Sequence, residues 1–262
     1  MTSVEVREML DSDKYYVGTC THIRESTEID ACAQRRIRWM ERLIPIGLKV
    51  TVAITDGLPR GFLYLLPIEI CPWGPLGHCL SVVPCLCVEN AFHGRGIGKA
   101  LLTDAVQRSQ KTGYKGIAIQ AYTHDFWFMQ AAFFLKNGFI EVARQGEVVL
   151  LWQPFDDSVS MPKLLESQYR YQPKEGKVVI DLFWNEFCQT SDIEAQRVRE
   201  VVAEFGDGVF LQEYPAEDRE TLLCYQLPRG IYVNGKEIFW GHEAPVAGIR
   251  DAIDKALAYS NL

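Results

Sequence analysis

The stretch Val88–Leu102, VENAFHGRGIGKALL, alternates Gly94, Gly96 and Gly98 with Arg95 and Ile97 just before a helical pattern begins. Glycines at that spacing let successive backbone N–H groups turn inward, and a helix N-terminus adds partial positive charge. The expected guest is an anion, with a pyrophosphate as the natural candidate. The competing reading is a tight strand-to-helix turn that holds nothing. Two common phosphate motifs fail by spacing. A P-loop needs glycine six residues before its lysine and Ser or Thr after it, but His93 and Ala100 stand there. A dinucleotide fingerprint starting at Gly94 needs glycine where Lys99 stands.

Other side chains could carry chemistry. Tyr122 and His124 follow the next strand, and Glu89 is the carboxylate nearest the glycines in sequence. Each has a plainer reading, as a packed ring, a solvated loop residue and a solvated loop carboxylate. Cys87 is a potential acyl acceptor, although its apolar strand favours packing. Cys188 lies where a strand runs into a helix, a place that lowers a thiol pKa. No CxxC pair or zinc-type Cys/His spacing occurs among the eight cysteines, so no metal site is expected.

These residues need elements to hold them. Alternating and helical periodicities predict a strand at VEVREM, a helix at DACAQRRIRWMERLI and a strand at LKVTVAI. A turn, TDGLPRG, leads to the strand FLYLLPI, and the strand LSVVPCLCV follows an irregular loop. After the glycines come a helix stopped by Gly113, the strand KGIAIQAY, a helix over about 127–137, and the strands GFIEVARQ and GEVVLLWQ. Together they predict a mixed sheet flanked by helices over 1–155. A polar seam with Pro162 and Pro173 reads as a linker over 156–176, interrupted by a short helix at Lys163–Tyr169. A smaller α/β domain is expected over 177–262. Its elements are the strand KVVIDLFW, a helix opened by Ser191 and Asp192, the strand VFLQEYP, a helix, a hairpin turning at Asn234-Gly235 and a final helix.

LCVENAFHGRGIGKALL resembles motif A of the GNAT superfamily of N-acetyltransferases, and AAFFLKNGF resembles the end of its motif B. The resemblance implies an acyltransferase of GNAT fold that moves an acetyl group from acetyl-CoA directly to an amine. It implies that the backbone of Leu86, Cys87 and Val88 pairs with the pantetheine arm. His93, Gly94, Arg95, Gly96, Ile97, Gly98 and Lys99 would offer N–H groups to the pyrophosphate, and the Val88 N–H would polarise the acetyl carbonyl. The family's motif usually opens with Gln or Arg, where this chain has His93. Its frequent tyrosine acid falls at Phe134, which has no proton to give, and a cofactor-contacting asparagine falls at Trp127. Tyr122 and His124 are then the candidate proton donors, with Glu89 as candidate base. Residues 177–262 resemble a thioredoxin-like, YoaP-like domain, in which Cys188-Gln189-Thr190-Ser191 is a CxxS redox motif and Pro228 the cis-proline facing it.

Composition narrows the partners. At 262 residues the chain can bury two cores. A net charge of −7 argues against broad nucleic-acid binding. No apolar run approaches the roughly 20 residues needed to span a membrane, and the charged start MTSVEVREML has no secretory h-region. A cytoplasmic protein acting on a small-molecule or peptide amine is expected, with a homodimer left open. Two rival readings stand beside transfer: a thiol-disulfide or thiol-binding protein acting through Cys188 with CoA as regulator, and a CoA-binding module without catalysis.

Overall fold

The computed structural model describes residues 4–124 and 129–260. The chain divides into two compact units, Met1–Leu165 and Glu166–Leu262.

The first unit is built on a seven-stranded sheet in the order β1-β2-β3-β4-β5-β7-β6. Its strands are β1 (Glu5–Glu8), β2 (Lys49–Thr55), β3 (Leu58–Pro67), β4 (Ser81–Val88), β5 (Gly116–Tyr122), β6 (Ile140–Gln145) and β7 (Val148–Pro154). All neighbours are antiparallel except β4 and β5, which run parallel. The helices are α1 (Lys14–Gly18), α2 (Thr27–Leu43), α3 (Ile97–Thr112) and α4 (Ala131–Lys136). The part of the expected 127–137 helix at 127–128 lies outside the described residues.

Two features of this sheet set up the site. The turn between β2 and β3 is tighter than the run TDGLPRG suggests, because Thr55 pairs directly with Leu58. Asp56 and Gly57 take positive φ of 53° and 75°, the pattern of a two-residue primed turn that Asp-Gly accepts at low cost. On β4, Val83 and Pro84 stand opposite Leu65 alone, since Tyr64 pairs with Cys85 and Leu66 with Val82. That is a β-bulge with a proline inside it, where the absent N–H leaves no ladder bond unmade.

The bulge also sets which side chains face which helices. Val83 and Leu86 join Leu101, Leu102, Ile119 and Phe134 in the core beneath α3 and α4. Cys85 and Cys87 face the other side, where Phe62, Tyr64, Trp39 and Arg36 are buried. Where β4 pairs with β5, the buried Ser81 and Ser109 hydroxyls lie 2.7 Å apart and fasten α3 to β4. The helix expected at Lys163–Tyr169 does not form. Lys163 instead exchanges two 2.8 Å backbone hydrogen bonds with Leu76, which holds that segment extended just after Pro162.

The second unit is a four-stranded sheet in the order β11-β10-β8-β9. It comprises β8 (Val178–Trp184), α5 (Gln189–Ala203), β9 (Val209–Pro215), α6 (Arg219–Tyr225), β10 (Gly230–Val233), β11 (Lys236–Ile238) and α7 (Val246–Ser260). β8 and β9 are parallel, and β10 and β11 return antiparallel. Helix α5 begins earlier than its Ser191-Asp192 pair suggests. Cys188 is its N-cap, and the Ser191 hydroxyl instead accepts the Asn185 N–H at 3.0 Å. One face of the sheet packs Ile180, Val198 and Ile253 into an aliphatic core. The other buries Asp181 under the hydroxyls of Tyr169 (2.6 Å) and Tyr214 (3.2 Å).

Helix α3 carries the glycine turn on its N-terminus, so its packing must be firm. Leu101 has no solvent exposure. Leu101→Ala is expected to destabilise the first unit by about 2–5 kcal/mol through the lost transfer energy and the cavity. Urea denaturation checks this, and an unchanged midpoint would contradict the packing described.

Candidate active site

β4 and β5 pair at Ser81–Ile117 and Val82–Ala118 and then part. From the bulge onward, the β5-facing edge of β4 has no neighbouring strand. Buried backbone groups seldom go unpaired, so such an edge implies another partner. The Leu86 N–H points into the gap, where its acceptor is the Met129 Sδ at 3.2 Å. A thioether is a weak acceptor, and Met129 reaches this place with a left-handed φ of 73°. By the two-residue alternation of a strand, Val88 presents its backbone groups to the same edge. Cys87 presents its own to β3, opposite Phe62. The Val88 carbonyl is 2.9 Å from His93 Nε2, so the His93 ring closes the far end of the open edge.

The glycine turn continues directly from that edge. Gly94 and Gly96 have φ of 75° and 82°, and a Cβ at either would meet nothing within 4 Å. Backbone conformation, not crowding, requires glycine there. Gly96 is the N-cap of α3, and its carbonyl accepts the Ala100 N–H at 2.9 Å, the first bond of the helix. The N–H groups of Ile97, Gly98 and Lys99 therefore open the helix at its positive end. The Ile97 side chain is buried and anchors the turn, while Arg95 and Lys99 are exposed. Gly98 faces Phe133 and Leu86, where a Cβ would sit 3.4 Å and 3.6 Å away. The turn can thus direct several N–H donors at one anion.

A charged and aromatic group flanks the turn. Glu89 pairs with Arg60 at 3.2 Å, and the Phe92 ring lies under both Arg60 (4.3 Å) and Arg95 (4.7 Å). The Tyr16 hydroxyl, on α1, is buried without a hydrogen bond of normal geometry and faces the Glu89 carboxylate and the Cys87 thiol. Burial, with those two neighbours, pushes its pKa well above that of an ordinary tyrosine. Tyr16 and Arg60 escape a reading of the sequence because α1 and β3 reach this place only through the tertiary fold.

Tyr122 closes β5 opposite Val148, with its hydroxyl 3.5 Å from the Gln120 amide. His124 stacks at a tilt 5.4 Å from the Tyr122 ring, and its Nε2 is 3.8 Å from Glu147. Tyr122 and His124 therefore sit together at the end of β5, and Glu89 follows the end of β4. Phe134 is 1% exposed and packs edgewise on Phe133 and Phe139, within the core and away from any polar task. Trp127 lies outside the described residues.

In the second unit, Cys188 is half-buried at the N-terminus of α5. Its N–H donates to Asn185 Oδ1 (2.9 Å), and Asn185 Nδ2 donates to the Pro228 carbonyl (2.7 Å). The Arg229 guanidinium interacts electrostatically with Cys188 and pairs with the buried Glu194 at 2.8 Å. Pro228 thus stands beside the helix start, but not as a cis-proline. The cis bond among the described residues is Gly74–Pro75. The Glu217 carboxylate accepts the Glu186 N–H just before Cys188, and burial pushes its pKa up to about 7.

The folded second unit therefore holds a proton that the unfolded chain releases between about pH 4.5 and 7. Glu217 contributes stability that is fully present below pH 4.5 and is lost as pH rises through 7. Glu217→Gln is expected to flatten this dependence, with a smaller change in urea midpoint between about pH 5 and about pH 8 than the parent shows. Equal pH dependence in the two proteins would contradict the assignment.

Residues 47–141 match the family model of the acetyltransferase (GNAT) domain. Comparison with curated protein sequences returns no match. Among solved structures, a GNAT-family acetyltransferase from Staphylococcus aureus Mu50 is 18% identical, with 59% of this chain and 100% of that one covered at a TM-score of 0.45. PaiA N-acetyltransferase from Thermoplasma acidophilum, in complex with coenzyme A, is 17% identical over 58% of this chain and 99% of its own, with a TM-score of 0.44. The GNAT-family N-acetyltransferase YhbS from Escherichia coli, in complex with CoA, is 16% identical over 61% and 88%, with a TM-score of 0.44. The family match falls on β2 through α4, the elements that build the open edge and the glycine turn. The first unit carries a GNAT acetyltransferase domain, and the chain is an acyltransferase.

Proposed function

We propose that the first unit transfers an acetyl group from acetyl-CoA directly to a primary amine on a small molecule or peptide. The observation that carries this reading is the unpaired edge of β4, with its Leu86 N–H resting on a methionine sulfur. A carbonyl oxygen is a far better acceptor than a thioether, so an amide-rich arm laid along β4 exchanges a weak bond for strong ones. Leu86 and Val88 would hold that arm, with the Val88 N–H polarising the acetyl carbonyl. Cys87 lines the same strand through its side chain. The edge then delivers the anionic end to the turn at His93–Lys99, where Gly94, Arg95, Gly96, Ile97, Gly98 and Lys99 supply N–H groups and the α3 dipole. When bound, acetyl-CoA supplies the activated acyl group.

The chain must still receive a neutral amine and return a proton to the departing thiolate. With Phe134 sealed in the core, we assign the thiolate's proton to Tyr122, with His124 beside it. Glu89, facing the buried Tyr16 hydroxyl, is assigned to the amine. The second unit we read as thioredoxin-like. The order β11-β10-β8-β9 and a half-buried cysteine heading the helix after β8 support that reading. Cys188 beside Arg229 favours a second activity there, the binding or exchange of thiols, since a nearby guanidinium stabilises a thiolate. Residues 156–176 join the two domains in this reading, and the cell compartment is the cytoplasm.

Gly96→Val puts a branched side chain at a left-handed φ and into the space in front of the helix. It is expected to abolish the rise in Tm that CoA gives the parent, while the fold survives by circular dichroism. A CoA shift equal to the parent's would contradict the placement of the anion. Tyr122→Phe is expected to lower acetyl transfer across a panel of primary amines by about 10²-fold, with the CoA shift retained. Unchanged turnover would move the proton to another group.

A further inference from the structure

β3 and β4 are joined by one more hydrogen bond beyond their last paired residues. Gly61 stands opposite Val88, and the next N–H along the chain, that of Glu89, donates to the Arg60 carbonyl at 3.1 Å. The Arg60 and Glu89 side chains are thereby set side by side, and Arg60 Nη1 donates to the carboxylate at 3.2 Å. They are 24% and 25% exposed, so each charge is partly desolvated yet still within reach of a ligand.

Arg60 has donors to spare. A guanidinium offers N–H groups along its whole fork. Among the described residues, the bond to Glu89 is the one hydrogen bond its side chain makes, and its Nε is buried without a partner. A buried donor left unmade costs free energy. The Phe92 ring, 4.3 Å from the guanidinium carbon, covers one face of the fork, so a further partner must approach its edge. Arg95 stacks on the same ring at 4.7 Å but belongs to the glycine turn, where the anion of the cosubstrate is expected. Arg60 and Glu89 are therefore the charges left for the acceptor.

One cation and one anion held together, one residue past Val88, match a molecule that carries both charges in the opposite sense. An α-amino acid is such a molecule, with its ammonium and its carboxylate on a single carbon. A monoamine offers nothing to Arg60, and a peptide N-terminus has an amide where the carboxylate would be. Complementary charge selects partners in this way, and a guanidinium fork fits a carboxylate.

We propose that the acetyl acceptor is a free α-amino acid, its carboxylate held by Arg60 and its ammonium by Glu89. This rests on the transfer reading given above. Glu89 takes one proton from the ammonium, and the nitrogen lone pair attacks the acetyl carbonyl. The C–N bond forms and the C–S bond breaks. Tyr122 gives its proton to the departing thiolate, the nitrogen's second proton replaces it, and the proton on Glu89 passes to solvent. The products are an N-acetyl amino acid and CoA. Arg60 moves no proton; it sets which amine is held.

The test measures transfer from acetyl-CoA to the common primary α-amino acids, each beside its own α-carboxamide. The carboxamide keeps the shape and the amine and removes the charge that Arg60 holds. For the best acid, kcat/KM is expected to exceed that of its amide by about 10- to 100-fold, the scale of a hydrogen bond to a charged group. Arg60→Met keeps an apolar stem on Phe92 and is expected to bring that ratio close to unity through a raised KM for the acid, with the CoA thermal shift retained. Arg60→Lys is expected to keep part of the ratio. If Arg60 served only to hold Glu89, its loss would slow acid and amide equally and leave the ratio as in the parent. That result overturns the proposal, as does a parent that uses acids and amides alike, and both leave the transfer reading standing. Transfer to no amine at all, with the CoA shift intact, contradicts that reading, and the acceptor assigned here falls with it.

Discussion

The parting of β4 from β5 is the constraint on which the rest of the first unit depends. A strand buried in mid-sheet normally finds a partner on each side, and an unpartnered edge there costs free energy for every N–H left without an acceptor. Here the strands pair at two positions and then diverge, beginning where the Val83–Pro84 bulge alters the course of β4. Pro84 offers no N–H to lose, and the Leu86 N–H falls back on the sulfur of Met129. The glycine turn, the α3 N-terminus and the His93 ring are then arranged along the continuation of that edge. A ligand with amides in its middle and an anion at one end satisfies all of them together.

The bulge has a second consequence on the opposite face. Because it realigns the side chains of β4, Cys85 and Cys87 share the α1–α2 side with Tyr64, while Val83 and Leu86 seal the core under α3. One strand therefore presents its backbone to a ligand edge and its thiols to a buried polar cluster around Arg36. Glu89, just past the end of β4, stands beside Tyr16 and Arg60.

Much of this was legible in the sequence, for physical reasons that also mark where legibility ended. Strand and helix periodicities placed β2, β4, α2, α3 and β8 closely, because their apolar spacing answers to one packed face each. The glycine turn was readable because Gly94 and Gly96 need left-handed φ. The hairpin at Asp56–Gly57 is shorter than its sequence implies, since Pro59 and Gly61 mimic turn residues while sitting in β3. The helix expected at Lys163–Tyr169 lost to a long-range pairing with Leu76 that no local pattern announces. Tyr16 and Arg60 stayed hidden for the same reason. Sequence separations of that size are settled by tertiary packing alone.

The account stands most directly on the backbone amides of Leu86, Gly96, Ile97 and Gly98. Titration of the isotope-labelled full-length chain with CoA, followed by amide NMR, reads all of them in one experiment. The Leu86 amide is predicted to move as its bond passes from the Met129 sulfur to a carbonyl. The amides of residues 94–99 are predicted to move with it, at one common dissociation constant. Saturable CoA binding that leaves both sets of amides unshifted would contradict the account.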